Sequence, residues 1–416
     1  MKNVCDNMLI ILLNIGIAAA MCVLPGCKQS DKINPLEIIQ LSPELPIQEA
    51  NLSEYASSIE YIPLETNDSC LIGEGNRIVD RQVDVSDDHI LFSDGISVLL
   101  FDRKGAFVCK VGRKGNGPGE YRVPYPVKFV SDGATIEIGD YGQSYFYDLN
   151  GHFLYSRRYQ EMIKDSIQVE GIYSLGDGLI VCSGIIAEEF RGALLIADTL
   201  GNVIHKIIMQ DTIAEHTQAL YRGVVPTVYL KDDLIRFYNK IEDTLFTVNK
   251  AGQREPSYAF DFGKYKQVLV WKELIQNSRE YAHLIRIIES DNYLFLDLDF
   301  GKKSKEVLTY YITDMLGNQV ARETGLLGAI YDKENKNVVL LKQSQPNIIG
   351  MRDDLLGGVP FWPKKIANDG SLVSFIESST FKELSDAFDP SSEVYQIGKT
   401  ISPEDNPIVM IAKPKR

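Results

Sequence analysis

Ser97-Val-Leu-Leu-Phe-Asp-Arg-Lys-Gly-Ala-Phe-Val-Cys-Lys-Val111 contains the pattern that decides the fold. Its centre, Asp102-Arg-Lys-Gly105, is a turn signal, because an Asp side chain accepts backbone hydrogen bonds two residues on and Gly takes up positive φ without strain. The runs on both sides are rich in apolar, β-branched and aromatic residues. Such runs around a tight turn predict an antiparallel β-hairpin.

The same signal, Asp or Asn followed three positions later by Gly, occurs five times between strand-like runs. The first positions of successive copies are 46, 50, 51 and 65 residues apart. In an all-β sequence, a repeat of about 40 to 50 residues is typical of propeller blades. We therefore predict an all-β fold, a six-bladed β-propeller of four-stranded antiparallel blades with short helical insertions. The copies are Asp102-Arg-Lys-Gly105, Asp148-Leu-Asn-Gly151, Asp198-Thr-Leu-Gly201, Asn249-Lys-Ala-Gly252 and Asp314-Met-Leu-Gly317.

The closure of the ring and the blade boundaries follow from this repeat. A ring of blades leaves two sheet edges exposed unless its ends join. We therefore expect the apolar segments Ile59-Glu-Tyr-Ile62 and Pro407-Ile-Val-Met-Ile-Ala412 to lie in one blade. Amphipathic spacing predicts a helix over residues 264–278, and a second short helix is expected over 380–387. The predicted blades cover residues 75–115, 122–160, 170–210, 220–262, 280–325 and 328–378, the last completed by a terminal strand.

The N-terminus has the pattern of an export signal. Its apolar stretch, residues 8–23, is too short for a membrane span and typical of a signal-peptide core. Leu24-Pro25-Gly26-Cys27 resembles a bacterial lipobox, which predicts lipidation of Cys27; an ordinary secretory peptide cut nearby is the alternative. The predicted location is the cell envelope, with the membrane reached only through the lipid anchor. The predicted segments are a signal peptide (1–26), the lipidated Cys27 with a polar, Pro-containing tether (27–50), and the propeller (51–416).

Charge and cysteine content exclude several classes of protein. The formal net charge is −14, which argues against nucleic-acid partners and against electrostatic binding to anionic lipid. After removal of the signal and lipidation of Cys27, three cysteines remain, too few for a disulfide framework. We expect Cys109 and Cys182 to be buried thiols, because both stand inside strand-like runs.

The most unusual local sequence is Gly112-Arg-Lys-Gly-Asn-Gly-Pro-Gly-Glu-Tyr121. It does not match a phosphate-binding loop, because no helix start follows it and Pro118 lacks an N–H. The glycines favour a tight crossover between blades. Arg113, Lys114, Glu120 and Tyr121 would then lie near a blade end, where they could contact a ligand.

Several separate pieces of the chain resemble one known family. The pieces are Tyr61-Ile-Pro-Leu-Glu-Thr66, Val98-Leu-Leu-Phe-Asp-Arg-Lys-Gly105, Lys110-Val-Gly-Arg-Lys-Gly-Asn-Gly-Pro-Gly-Glu-Tyr121, Arg236-Phe-Tyr-Asn-Lys-Ile-Glu-Asp-Thr-Leu-Phe246, Asp354-Leu-Leu-Gly-Gly-Val-Pro-Phe-Trp-Pro363 and Asn406-Pro-Ile-Val-Met-Ile411. Together they look like the six-bladed β-propeller lipoproteins, which are NHL-like or TolB-like in their repeats. The resemblance implies an exported six-bladed propeller. It implies no reaction and no catalytic residues.

The remaining candidates favour binding over catalysis. Trp362 either packs under a loop or stacks on a ligand, and Tyr141 and Arg222 are further candidate ligand contacts. The five His residues show no metal-ligand spacing, and no Gly-x-Ser-x-Gly elbow occurs. We therefore predict no catalytic residues, cofactor or metal. The predicted function is an envelope-anchored binding module for a protein or glycan partner. The alternatives are a carbohydrate-active lyase or hydrolase acting at the channel mouth, and a scaffold for an envelope assembly.

Overall fold

The computed structural model describes most of the chain from Leu36 onward, and the strands of this part form a six-bladed β-propeller. The predicted fold class is thereby confirmed. The described residues are 36–73, 81–130, 133–140, 142–163, 167–186, 191–209, 227–232, 234–239, 242–266, 280–313 and 319–415.

The elements follow one another along the chain from the N-terminal segment to the third blade. The N-terminal segment holds β1 (Glu37–Gln40), β2 (Ile47–Gln48), a 3-10 helix (Leu52–Glu54) and β3 (Ala56–Pro63). Blade 1 holds β4 (Gln82–Val85), β5 (His89–Ser93), β6 (Val98–Asp102) and β7 (Phe107–Lys110). The short strands β8 (Arg113–Lys114) and β9 (Glu120–Tyr121) follow. Blade 2 holds β10 (Val127–Phe129), β11 (Thr135–Asp140), β12 (Gln143–Asp148) and β13 (Phe153–Arg158). After α1 (Tyr159–Met162), blade 3 holds β14 (Ile167–Gly176), β15 (Leu179–Ile186), β16 (Arg191–Asp198) and β17 (Val203–Ile208).

The last three blades carry the insertions. Blade 4 holds β18 (Thr227–Lys231), β19 (Leu234–Asn239), β20 (Thr244–Val248) and β21 (Arg254–Asp261), followed by a 3-10 helix (Gly263–Tyr265). Blade 5 holds β22 (His283–Glu289), β23 (Tyr293–Asp299), β26 (Leu326–Asp332) and β27 (Asn337–Leu341), interrupted by a 3-10 helix (Gly301–Lys303) and the hairpin β24 (Leu308–Thr313) and β25 (Gln319–Thr324). Blade 6 holds β28 (Lys365–Ile366), β29 (Leu372–Ile376), the helices α2 (Ser378–Ser385) and α3 (Glu393–Thr400), and β30 (Ile408–Pro414).

The ring is closed by β3, which follows the N-terminal strands β1 and β2, and by β30 near the C-terminus. Strand β3 supplies the fourth strand of blade 6, where it pairs antiparallel with β30 and sets Tyr61 opposite Met410. The predicted closure is thereby confirmed. The first strands of several adjacent blades contact one another, β4 with β10, β14 with β18 and β22 with β28, and so lie on the inside of the ring.

The core is divided among the blade interfaces. Among the described residues six buried apolar clusters occur; five join neighbouring blades, and one packs α1 against blade 3. A central strand such as β6 is therefore buried on both faces, and all residues from Val98 to Phe101 are buried. This double burial explains why the sequence there is a continuous apolar run instead of an alternation of apolar and polar residues.

Four of the five turn signals join the third and fourth strands of blades 1 to 4. In the first copy, Asp102 Oδ1 accepts hydrogen bonds from the N–H groups of Lys104 (2.8 Å) and Ala106 (2.9 Å). Gly105 has φ +89°, and a Cβ there would lie 2.2 Å from the Pro63 carbonyl oxygen of blade 6. The turn thus requires Gly both for its backbone conformation and for its contact with the preceding blade.

The boundaries of blades 5 and 6 differ from the prediction. Residues 314–318, which contain the fifth turn signal, lie outside the described residues, but the strands on either side, β24 and β25, form a separate two-stranded sheet. The hairpin is inserted within blade 5, so β26 and β27 complete blade 5 instead of beginning blade 6. Blade 6 begins only at β28.

The predicted tether also differs from the structure, from Glu37 onward. Strand β1 pairs in parallel with β21, the outer strand of blade 4, and β2 pairs in parallel with β27, the outer strand of blade 5. Ile39 and Leu41 are buried there. An outer strand offers unpaired backbone groups, and this segment satisfies them while it buries its apolar side chains.

The helices are confirmed in part. The helix expected over 380–387 is α2, shifted by two residues, and α3 was not predicted. Most of the helix expected over 264–278 lies outside the described residues. Among the residues that the structure describes, no helix has both the length and the apolar character needed to cross a membrane.

Candidate functional site

The connections between strands fall at two ends of the blades. Because neighbouring strands within a blade are antiparallel, the turns between its first and second strands and between its third and fourth strands lie at one end, which we call the turn end. The connections between second and third strands, and those from one blade to the next, lie at the other end, the crossover end. The hairpin β24–β25 and the helices α2 and α3 are inserted at the crossover end.

The glycine-rich segment, residues 112–121, runs from blade 1 to blade 2, as predicted. Glu120 organises it: its carboxylate accepts hydrogen bonds from the Gly117 N–H (2.8 Å) and from Arg113 Nε. The bond from the Gly117 N–H has the largest effect on the Glu120 carboxyl, and the bond from Arg113 the next. Together they lower the pKa of Glu120 below its usual value. Arg113 and Glu120 therefore hold the loop together, while the exposed Arg113 side chain remains accessible to a partner.

Tyr121 does not present a surface to ligands. It is fully buried among the apolar residues between blades 1 and 2, and its hydroxyl donates to the Val111 carbonyl at 3.3 Å. Burial raises the pKa of this phenol. The expected ligand role of Tyr121 is therefore not compatible with its position in this structure. Tyr141, Arg222 and Cys27 lie outside the described residues.

Trp362 lies at the crossover end, between blades 5 and 6. Its ring is 7% exposed and packs edge-on against Phe295, with ring centroids 5.7 Å apart. Its indole Nε1 donates to Asp297 Oδ1 at 2.6 Å, and Arg286 Nη2 contacts Asp297 Oδ2 at 2.6 Å. The indole and the guanidinium thus hold one buried carboxylate between them.

These three residues line a cavity of about 250 Å³, which we call the Trp362 cavity. Its other walls include Leu308 of the inserted hairpin and Phe375 of β29. The Lys364 ammonium group lies 4.7 Å from the centre of the Phe375 ring. Arg286 Nε is buried and makes no hydrogen bond within the described structure. The lining therefore combines aromatic surface with two cations and one carboxylate.

A local clamp explains how the sequence positions Trp362. Asp353 Oδ2 accepts from the Tyr61 hydroxyl (2.8 Å) and the Gly358 N–H (2.9 Å), while Oδ1 accepts from the Leu355 and Leu356 N–H groups (3.0 Å each). A Cβ on Gly358 would lie 2.4 Å from the Tyr61 oxygen, so only Gly fits there. The clamp attaches the segment before Trp362 to the closing strand β3.

A second and larger cavity lies at the turn end, and sequence reasoning missed it. We call this cavity of about 450 Å³ the turn-end cavity. It is lined by the first turns of blades 6, 1 and 2, together with Arg103 and Leu149 from the third turns of blades 1 and 2. Asp-Asp-His at residues 87–89 and Asn-Asp-Gly at residues 368–370 were visible as polar turns, but no local signal shows which turns meet.

Asp369 is the most strongly perturbed acid of the turn-end cavity. Burial opposes its ionisation, but hydrogen bonds from Lys413 and from the Ser371 N–H outweigh burial and lower its pKa to about 2. Across the described residues, no group of three His, Cys, Asp or Glu side chains has the arrangement needed to hold a metal ion.

Comparison with known families places almost the entire described chain in one of them. The chain belongs to the family described as a domain of unknown function, DUF4934, which matches residues 36–413. The match begins at the start of the described region, ahead of β1, and so includes residues 36–50 of the segment expected to be a tether. No curated protein matches the chain.

Solved structures share the propeller fold. A protein from Bacteroides fragilis that is described as exported has a TM-score of 0.64 and 17% sequence identity, and the match covers 91% of this chain and 100% of that chain. A member of the DUF4221 family from Bacteroides vulgatus has a TM-score of 0.44 and 9% identity, covering 87% and 98% of the two chains. A virginiamycin B lyase from Staphylococcus aureus has a TM-score of 0.38 and 9% identity, covering 85% and 99%. At these identities the first likeness shows the fold alone, and the other two carry no argument about this chain.

Proposed function

We propose that this chain is an envelope-anchored propeller that binds a protein or glycan partner at its crossover end. Export is supported by the N-terminal signal pattern and by the likeness to a propeller described as exported. The lipid anchor rests on the lipobox-like sequence at Cys27. Binding at the crossover end is supported by the insertions of blades 5 and 6, because variable loops on a rigid scaffold are where partners usually bind.

The Trp362 cavity is the observation that carries this proposal. Arg286 Nε is buried without a hydrogen bond, which is unfavourable unless a partner group satisfies it. Arg286 lines the cavity with its side chain 36% exposed, so the cavity offers a guanidinium donor to an acceptor oxygen or anionic group of a partner. The aromatic walls favour stacking against a sugar ring or an apolar side chain.

The contacts in this cavity favour binding over catalysis. Both carboxylate oxygens of Asp297 are already engaged, Oδ1 by Trp362 and Oδ2 by Arg286. Among the described residues lining the cavity, no nucleophile is paired with a base. The lyase or hydrolase alternative has no contact in this cavity that favours it.

The proposal is tested with the full-length chain purified in a mild nonionic detergent. A glycan array and pull-downs from envelope extracts identify the partner, and product analysis of bound glycans detects any turnover. Arg286→Met and Lys364→Met should each weaken binding about tenfold, the usual loss when a charged contact in a partly desolvated site is removed. Lys342→Met, which removes an exposed cation paired with Glu49, is the matched control and should leave binding unchanged.

The outcomes separate the alternatives. If all three variants bind the partner equally well, the partner binds outside the Trp362 cavity. Glycan cleavage would favour the enzyme. Capture of an envelope protein without any glycan binding would favour the scaffold.

A further inference from the structure

The wall of the Trp362 cavity is mostly apolar, with one guanidinium group among the lining side chains. We propose that this cavity receives an apolar side chain of a protein partner, a residue such as Leu or Phe, together with the carboxylate or carbonyl oxygen beside it. This inference rests on the proposed function, because it names the class of partner for the same site. The apolar lining residues include Leu308, Leu326, Ile348, Ile349, Ile376 and Met410.

The aliphatic wall is unfavourable for a sugar ring. A sugar carries hydroxyl groups around its ring, and each hydroxyl that is buried without a hydrogen bond costs free energy. Trp362 offers little of a stacking face, because its ring is 7% exposed and packs against Phe295. Its Nε1 already donates to Asp297. An apolar side chain loses no hydrogen bond in such a cavity, so its burial there is favourable.

The size of the cavity also fits a single side chain. Its volume of about 250 Å³ lies below the range usual for pockets that enclose a drug-sized ligand. Protein interfaces commonly depend on a few such anchors, each of which fills a pocket on the partner surface. Trp and Arg, which both line this cavity, are enriched among the residues that carry binding energy in interfaces.

The inserted hairpin extends the apolar surface beyond the cavity. Leu308 lines the cavity, and Tyr310, two positions later in β24, lies on the same face of that strand. Tyr310 is 48% exposed. On β22, Ile285 is 51% exposed and stands next to Arg286, another lining residue. Exposed large apolar residues beside a concave site are typical of surfaces that bind proteins.

Arg286 supplies the charge complementarity of the site. Its side chain is 36% exposed, and its Nη2 contacts Asp297 Oδ2 at 2.6 Å. A guanidinium group has five N–H donors, more than this single oxygen accepts. The charge of the guanidinium favours a carboxylate of the partner over a neutral group, and its planar fork can donate to both oxygens. The occupant therefore has an apolar side chain next to an acceptor oxygen.

The test uses saturation-transfer NMR of small probes with the full-length chain in nonionic detergent, and detergent micelles alone are the blank. The probes are the free acids N-acetyl-glycyl-phenylalanine, N-acetyl-glycyl-leucine and N-acetyl-glycyl-alanine, together with glucuronic acid. All four carry a carboxylate, so they differ in the apolar group beside it. The phenylalanine and leucine probes should bind about tenfold more tightly than the other two, because they bury more apolar surface.

Variants of the inserted hairpin assign the binding to the cavity. Leu308→Asp places a charge in the apolar wall and should weaken the phenylalanine and leucine probes about tenfold. Val307→Asp is the matched control, because Val307 precedes β24, is exposed and does not line the cavity. It should leave the binding of every probe unchanged. If Leu308→Asp does not fold, the order of affinities for the unmodified chain still decides.

The outcomes separate this inference from the proposed function. The inference is overturned if the alanine probe binds as tightly as the leucine probe, or if Leu308→Asp leaves binding unchanged in a folded chain. Tighter binding of glucuronic acid than of the leucine probe, lost in Arg286→Met, overturns the inference but supports a glycan partner at the same cavity. Absence of binding by all four probes also overturns the inference, and the glycan array and pull-downs then decide the proposed function separately.

Discussion

At the scale of single residues, the contact between Gly358 and Tyr61 stabilises the clamp that positions Trp362. A Cβ on Gly358 would approach the Tyr61 oxygen to 2.4 Å and Asp353 Oδ2 to 2.9 Å. Gly358→Ala should therefore lower the free energy of unfolding by about 1 to 3 kcal/mol, the usual cost of overpacking. Urea denaturation measures this change.

A double-mutant cycle checks the cause of this loss. Tyr61→Phe removes the hydroxyl and its hydrogen bond to Asp353, so it is destabilising alone. In Gly358→Ala/Tyr61→Phe the 2.4 Å approach to the hydroxyl is removed, while the approaches to Tyr61 Cζ (2.7 Å) and Asp353 Oδ2 (2.9 Å) remain, so the combined loss should be smaller than the sum of the single losses. Simple additivity would show that the close approach is not the source of the cost.

The depressed pKa of Asp369, at the turn end, predicts that the free energy of unfolding depends on pH. Its pKa is about 2 in the folded chain against an ordinary 3.8. Because the folded pKa is depressed, the ionised carboxylate stabilises the fold above pH 3.8, and this contribution is lost as the pH falls through 2. Asp369→Asn should therefore flatten the dependence of unfolding free energy on pH between about 4 and 2. An unchanged slope in that window would contradict the assignment, and the effect is small because the carboxylate is 41% exposed.

Residue roles were predictable where they depend on local backbone geometry. Asp102 and its equivalents accept the bonds expected of the turn signal, because those bonds lie within five consecutive residues. The burial of Tyr121, which does not favour the predicted ligand contact, could not be predicted, because it depends on blade 2 covering this residue. Arg286 and Asp297 are opposite each other in the β22–β23 hairpin, but the hydrogen bond from Trp362 to Asp297 could not be predicted, since these two residues are 65 positions apart.

At the scale of elements, β1 is a strand because an outer blade edge pairs with it. Ile39 is 1% exposed and Ile38 is 59% exposed, as expected for alternate faces of one strand. Ile39→Asp should destabilise the chain by about 3 kcal/mol, since it buries a charge without a partner. Ile38→Asp is the matched control and should change stability by no more than about 0.5 kcal/mol.

The readout for β1 is the midpoint of thermal unfolding together with amide hydrogen exchange of β21. Ile39→Asp should also speed exchange at the edge of β21 that pairs with β1. Equal effects of the two substitutions would show that β1 is not docked on blade 4 in solution.

Elements were predicted best where the repeat is regular. Blades 1 to 4 carry the turn signal at the expected position, whereas the corresponding turn of blade 5 begins with Asp332, is one residue longer and has its positive φ at Lys336 (+53°) instead of at a Gly. The Asp-x-x-Gly pattern is therefore absent from this turn of blade 5. Its fifth copy lies in the sequence between β24 and β25 of the inserted hairpin. Insertion of a hairpin between two strands of one sheet leaves no local trace in the sequence.

At the scale of the whole molecule, the proposed lipid anchor at Cys27 predicts that the propeller is held at a membrane. Cys27→Ala should move the full-length chain from the membrane fraction to the soluble fraction of cells that export it, because one residue carries the predicted lipid. Labelling with a fatty-acid analogue should be lost in the same variant. Cys109→Ala is the control, since Cys109 lies within the propeller and should not affect fractionation. Retention of the Cys27 variant in membranes would indicate attachment by another route.

The sequence by itself determined the fold class, the four regular blades and the joining of the two chain ends, because turn chemistry and apolar strand runs act over a few neighbouring residues and recur along the chain. Only the tertiary structure decided that the segment after Glu37 extends two outer strands, that Tyr121 is core, and that polar turns of three blades surround one cavity. Those features depend on surfaces brought together from distant parts of the ring, and no local pattern encodes them.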